Sequence, residues 1–435
     1  MRMGMTGIAV LRMGLVVVAG LLASATGRAA DIHQGVATCA GGTCHGATKP
    51  LGETGIRQDE YFIWQQRDPH AGATATLATE RSRRMGALLG INPQSAPACL
   101  ACHAENIPTA QRGERWLASD GIGCETCHGG SERWLGPHTQ RGLPPAEKLA
   151  LGMTATWQPA VRAELCLGCH QGDAEHPITH AMMAAGHPVL LFELDTFTAL
   201  EPPHHDRDAD YVQRKGAQDP ARDWAVGQAM AADKLLQGVA SGQMGHGLFP
   251  ELVYFDCDAC HHPVSAARWH PGRNAGTPAG TPPLADASLY WLGVWLGVAA
   301  PELAFDWQQK VAALQGATGE SREALQKAAR QLQQTLRAQL LPMAEQRRLD
   351  AAQLAQLMKA IAATASAPRA QDFLAAEQAA MAATVLSDAL RQRGATVGAA
   401  QQQALQQLYV AVRNRDQFKS ETYRKALTAL AAATR

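Results

Sequence analysis

The chain has 435 residues, 39 basic against 39 acidic side chains, and an aromatic content of 5%. The length allows two or three domains. The even charge balance offers no basic excess for nucleic acid, and no nucleic-acid motif accompanies it. So few aromatic residues leave a chain of this size short of apolar mass for a large core.

Residues 1–30 read as a secretory signal peptide. Arg2 and Arg12 form the charged end, Met13 to Leu22 the apolar run, and Ala23-Ser24-Ala25 a small-residue cleavage site. The uninterrupted apolar run is too short to span a bilayer, and Arg12 breaks it. The expectation is export to the periplasm, with no membrane span after cleavage. Losing Arg2, Arg12 and Arg28 would leave the mature chain mildly acidic.

The next 230 or so residues repeat one pattern. Cys99–Cys102–His103, Cys124–Cys127–His128, Cys166–Cys169–His170 and Cys257–Cys260–His261 are C-x-x-C-H runs. This is the attachment signature of haem c: two thiols add across the vinyl groups of the macrocycle, and the adjoining histidine supplies the proximal nitrogen to iron. Cys39 and Cys44 with His45 form a wider version, with four residues between the thiols. A zinc ribbon or redox dithiol is the ordinary reading of a lone C-x-x-C pair. With 16 histidines in 435 residues, chance would follow four such pairs with histidine only roughly two times in a million. Five covalent haems are expected, and in chain order they are called sites 1 to 5. At site 1 the competing reading is a Cys39–Cys44 disulfide.

Between these runs lie histidines suited to the opposite face of an iron. His33 stands six residues before Cys39 in a Gly-rich stretch. His70 follows Asp68-Pro69 at the front of a helix expected to run to Leu89. His138 follows Pro137, which stiffens its backbone. Sites 2 and 3 are only 25 residues apart in sequence, which calls for neighbouring macrocycles. After site 4, His180 and His187 are seven apart, on one face if the segment is helical. Gly186 and Pro188 mark the end of that segment. His176, His204, His205 and His246 read as loop residues.

Residues 271–284 form a Pro/Gly linker. No cysteine lies beyond Cys260 and no histidine beyond His270. The remainder, 285–435, is rich in Ala, Gln, Leu and Arg with helical periodicity. Leu325, Leu332, Leu336 and Leu340 form one apolar stripe, and Leu354, Leu357, Met358 and Ile361 another. Roughly four to six helices in a bundle are expected, punctuated by Pro342, Pro368 and Gly394. The division is therefore a signal at 1–30, a pentahaem domain at 31–270, a linker, and a helical domain at 285–435.

Several segments resemble the multihaem cytochromes of the c-554 and c-prime type. They are Gly-Ile-Gly-Cys-Glu-Thr-Cys-His-Gly-Gly at 121–130, Trp-Leu-Gly-Pro-His at 134–138, Ala-Ala-Gly-His-Pro at 184–188, Asp-Pro-His at 68–70, and Tyr-Phe-Asp-Cys-Asp-Ala-Cys-His-His at 254–262. The resemblance covers about residues 31–270. It implies a mainly α fold wrapped around closely packed haems, and periplasmic electron transfer. The wider first site and the long helical tail depart from that pattern.

Two functions are in contention. An electron carrier needs five distal ligands, for which His33, His70, His138, His180 and His187 are the selection, with redox partner proteins and the cytochrome c maturation machinery as partners. Without an axial Met the centres would be of low potential. A multihaem reductase or oxidase of a small nitrogen or sulfur compound needs one iron with an open face, and site 1 is the first place to look for it.

Overall fold

Each attachment motif has its first cysteine on a helical turn. In the computed structural model these are Val36–Cys39, Pro97–His103, Cys124–His128, Pro159–His170 and the 3₁₀ turn Cys257–Ala259. A helical turn carries residues i and i+3 on one side, so a single turn presents both thiols of a C-x-x-C pair. Proline opens two of the helices, at Pro97 and Pro159, where a missing N–H costs nothing. The structure describes residues 31–50, 56–173, 175–241, 251–262, 277, 278 and 280–434. The expected signal peptide lies outside them, as does half of the expected linker.

The described residues are mainly helical, and they contain only isolated β-bridges, such as Phe255 with Leu284. Residues 31–158 are short helices and turns strung between motifs. The large apolar core contains none of them: its first member in sequence is Ala163. The front of the chain buries scattered residues such as Val36, Ile63, Leu77 and Trp134. This is the pattern of a segment organised around something other than its own side chains.

The core belongs to the helical body. Its centre is Pro220–Ser241, packed against Pro159–His170, Ala287–Ala299, Arg322–Thr335, Leu341–Gln346 and Phe373–Gln392. Because it is covered on nearly every side, the charges it carries are paired. Asp223 takes Arg162 at 2.7 Å, Asp233 takes Arg337 at 2.6 Å, and Asp219 takes Arg393 at 2.6 Å. Gly238 sits where a Cβ would meet the Tyr254 ring at 2.3–2.6 Å, so the smallest residue lets the site 5 segment lie against this helix.

Both expected leucine stripes are buried, Leu325, Leu332, Leu336 and Leu340 at 2% exposure or less, and Leu354, Leu357, Met358 and Ile361 at 0%. Beyond residue 285 the described chain forms seven helical rods rather than four to six. Pro342 does not break its rod. A π-turn at Leu336–Leu340 absorbs the missing N–H, and the helix continues through Leu341–Gln346. Residues 31–435 group as one packed unit. The helices at 159–170 and 220–241 lie inside the same core as the tail, so the helical body begins well before residue 285.

Candidate functional site

Every motif histidine faces one histidine from elsewhere in the chain. His45 and His138 have ring centroids 6.2 Å apart, His70 and His170 6.1 Å, His103 and His187 6.5 Å, His128 and His204 6.3 Å, and His180 and His261 6.0 Å. An iron held between two imidazoles would give such a distance. A metal–nitrogen bond of about 2.0 Å and roughly 1.1 Å from nitrogen to ring centre, doubled, give about 6.2 Å. None of the ten cysteines is in a disulfide, including Cys39 and Cys44. The residues present therefore fit five bis-His haem c groups.

One ring nitrogen is already engaged in five of these ten histidines. His45 Nδ1 lies 3.0 Å from Glu60 Oε2, and His70 Nδ1 lies 2.9 Å from Asp68 Oδ1. His103 Nδ1 meets Thr76 Oγ1 at 2.9 Å and the Ala73 carbonyl at 3.2 Å. His187 Nδ1 meets the Pro188 carbonyl at 2.8 Å, and His138 Nδ1 the carbonyls of Leu135 and Trp134. With the proton held on Nδ1, Nε2 keeps a bare lone pair for metal.

Local structure positions these side chains. Asp68 caps the 3₁₀ turn Pro69–Gly72 by accepting from the His70 backbone N–H, and it holds the His70 ring with the same oxygen. The helix expected from His70 to Leu89 is really this turn, the short helix Ala73–Thr76 and the helix Glu80–Leu89, started by Thr79. His180 opens the five-residue helix His180–Ala184, and Gly186 at φ +115° turns the chain away, so His187 and His180 serve different pairs.

Electrostatics divide the histidines. The Glu60 carboxylate raises His45 against the opposing effect of burial, and Asp68 does the same for His70. Burial lowers His138, His170 and His187, and takes His128, beside His204 and Lys215, down to about 4.

His33 is the one selected histidine that faces no motif histidine among the described residues. Its Nδ1 lies 2.7 Å from Glu105 Oε1, and its ring is packed where a Cβ on Gly130 would touch it. Burial depresses its pKa, but Glu105 more than offsets this and the net shift is upward. The histidine that sequence reasoning left in a loop is His204. An adjoining proline does not mark it out: His70, His138 and His204 each follow one and His187 precedes one, but none adjoins His180, and His176 precedes Pro177. His246 and His270 lie outside the described residues.

The sites adjoin one another. The Cys39 thiol lies close enough to Cys124 for each to perturb the other, which brings sites 1 and 3 near one another, and Cys102 and Cys169 likewise bring sites 2 and 4 near. Cys127 of site 3 feels Cys166 and Cys169 of site 4. One cavity is lined by both His170 of site 4 and Cys257 of site 5.

Residues 38–129 match the family model of cytochrome c554 and c-prime. Over this segment the chain is similar to the c-type cytochromes. The matched segment takes in sites 1 to 3, while sites 4 and 5 and the helical body lie beyond it. No curated protein and no solved structure matches the chain. The match supports covalently bound haem c and a part in electron transfer.

Proposed function

We propose that this chain is a periplasmic pentahaem cytochrome that relays electrons between redox partner proteins through five bis-His centres. The observation that carries the reading is the set of five histidine pairs, each joining one motif histidine to one remote histidine at 6.0–6.5 Å. The axial pairs are His45 with His138, His103 with His187, His128 with His204, His170 with His70, and His261 with His180. His204 takes the place that sequence reasoning gave to His33. When bound, the haems supply reversible one-electron exchange between ferric and ferrous iron.

The chain's own part is attachment, ligation and spacing. Ten cysteines fix the macrocycles in place, at four C-x-x-C-H runs and one wider run. Paired imidazoles fill both axial positions, which leaves no face for a substrate. The absence of axial Met keeps the potentials low. The nearness of Cys39 to Cys124 and of Cys102 to Cys169, with site 4 adjoining both site 3 and site 5, supports an order of 1–3–4–2 with site 5 branching from site 4. His138 opposite His45 weighs against an open iron at site 1, the position a reductase would have needed. Export by the residue 1–30 leader is part of this reading, because the maturation machinery attaches haem c outside the inner membrane.

Low-temperature paramagnetic resonance of the oxidised protein tests the reading, together with carbon monoxide added after reduction. The expected result is low-spin signals only and no spectral shift with carbon monoxide. A high-spin signal accompanied by carbon monoxide binding would overturn it in favour of an enzyme.

A further inference from the structure

Site 5 is closed by the far end of the chain. Asp258, the second residue of its motif, accepts from Arg415 Nη2 at 3.3 Å through Oδ1. Its Oδ2 accepts from the Phe373 backbone N–H at 3.4 Å. The Arg415 guanidinium is thereby held near Cys257, the residue beside Asp258, and it lies 6.0 Å over the Phe373 ring. Both charged partners are largely enclosed, Arg415 at 26% side-chain exposure and Asp258 at 19%.

The tail holds Arg415 firmly. Asn414 caps the turn Arg415–Gln417 through the Asp416 N–H. Phe418 then packs on Phe373 at 5.5 Å and on the fully buried Tyr423 at 6.2 Å. On the other side of the motif, the Asp256 N–H donates to the Pro283 carbonyl at 2.9 Å, and the Ala285 N–H to the Tyr254 carbonyl at 2.8 Å. Among the described residues no such cation serves the matching position of site 3. There Glu125 is satisfied by backbone N–H groups of Gln34, Gly35 and Ser131.

We propose that the C-terminal helical body is part of the fifth haem centre, and that Arg415 is a positioning residue that holds the motif through Asp258 and sets the centre's potential by placing a fixed positive charge near Cys257. This rests on the haem reading of site 5. Cys257 would be bonded directly to the macrocycle, so a guanidinium held near it stands near the ring edge. Gain of one electron lowers the charge of the iron by one. A nearby cation therefore favours the reduced form and raises the potential, and a nearby carboxylate does the reverse. Partial burial limits screening by solvent and salt.

The test is a spectroelectrochemical titration of the intact holoprotein and of Arg415→Gln, Arg415→Lys and Asp258→Asn, with haem content checked by mass. In Arg415→Gln one component of the titration is expected to move to lower potential, with recovery in Arg415→Lys. The same component is expected to move to higher potential in Asp258→Asn. Opposite shifts distinguish charge from mere loosening, which would move both variants in one direction. Unchanged potentials in Arg415→Gln and Asp258→Asn, or shifts of the same sign, would overturn the proposal while leaving the haem reading intact. A parent protein with no haem at Cys257 and Cys260 would overturn both.

Discussion

His204 faces His128 across 6.3 Å, with the two rings nearly perpendicular at 85°. His204 comes from a loop after Pro202 and Pro203, far along the chain from the motif it meets. Its Nδ1 has only a long contact to Glu201 at 4.0 Å. Removing it should open one iron and no other. His204→Ala is expected to give a high-spin signal and carbon monoxide binding equivalent to one haem. His33→Ala should give neither, because His33 holds Glu105 instead. Carbon monoxide titration of the two reduced variants distinguishes them.

Asp68 holds His70 by both its backbone and its ring, and the carboxylate is pulled below its usual range by these contacts despite the cost of burial. A carboxylate behind an axial imidazole makes the ligand more basic and favours ferric iron. Asp68→Asn keeps an acceptor oxygen and removes the charge. One component of the redox titration is expected to rise in potential, with the low-spin spectrum retained. A fall would contradict the role given to Asp68.

Glu125 lies inside the third motif at 2% exposure, yet it accepts three backbone N–H bonds. Two of these fasten the segment entering site 1 to site 3, the same sites that Cys39 and Cys124 bring near one another. Glu125→Ala would strand buried donors, and hydrogen bonds to a charged group contribute about 1.5–3 kcal/mol each. The expected loss is about 3 kcal/mol or more in urea unfolding of the holoprotein. Glu125→Gln, which keeps an acceptor, should lose less.

Two carboxyls in the helical body should make stability depend on pH. Burial, then Glu193 and Asp223, pushes Asp195 up to about 7 against the opposing Arg162, with Asp388 adding to the rise. Burial pushes Glu377 up to about 7, and its Oε2 has no hydrogen-bond partner. Both folded values lie above the unfolded ones, so the folded state binds more protons between about pH 4 and 7. Their contribution is fully present below that window and is lost as pH rises through about 7. The urea midpoint should therefore fall between pH 5 and 8. Glu377→Gln should flatten part of that fall and exceed the parent in stability at pH 8.

What the sequence made legible follows from the chemistry. The fixed spacing of C-x-x-C-H let the ten cysteines and five motif histidines be picked out as candidates in advance. The histidines that face them come from across the fold. His70 precedes His170, while His138 and His204 follow the histidines they face, and no local pattern encodes such pairings. His33 looked suitable because it neighbours site 1, yet a buried carboxylate at Glu105 engages it first. The leucine stripes of the tail were readable from their period. That Arg415 and Phe373 of this tail reach Asp258 was not, since a lone arginine among helices carries no signature of its target.

The proposed function requires haem bonded through sulfur at all five sites. Intact mass of the denatured mature protein, made in a host able to attach haem c, tests this most directly. The expected mass equals the polypeptide plus five haems. A mass equal to the bare polypeptide would contradict it outright, and four haems with Cys39 and Cys44 unmodified would contradict it at the first site.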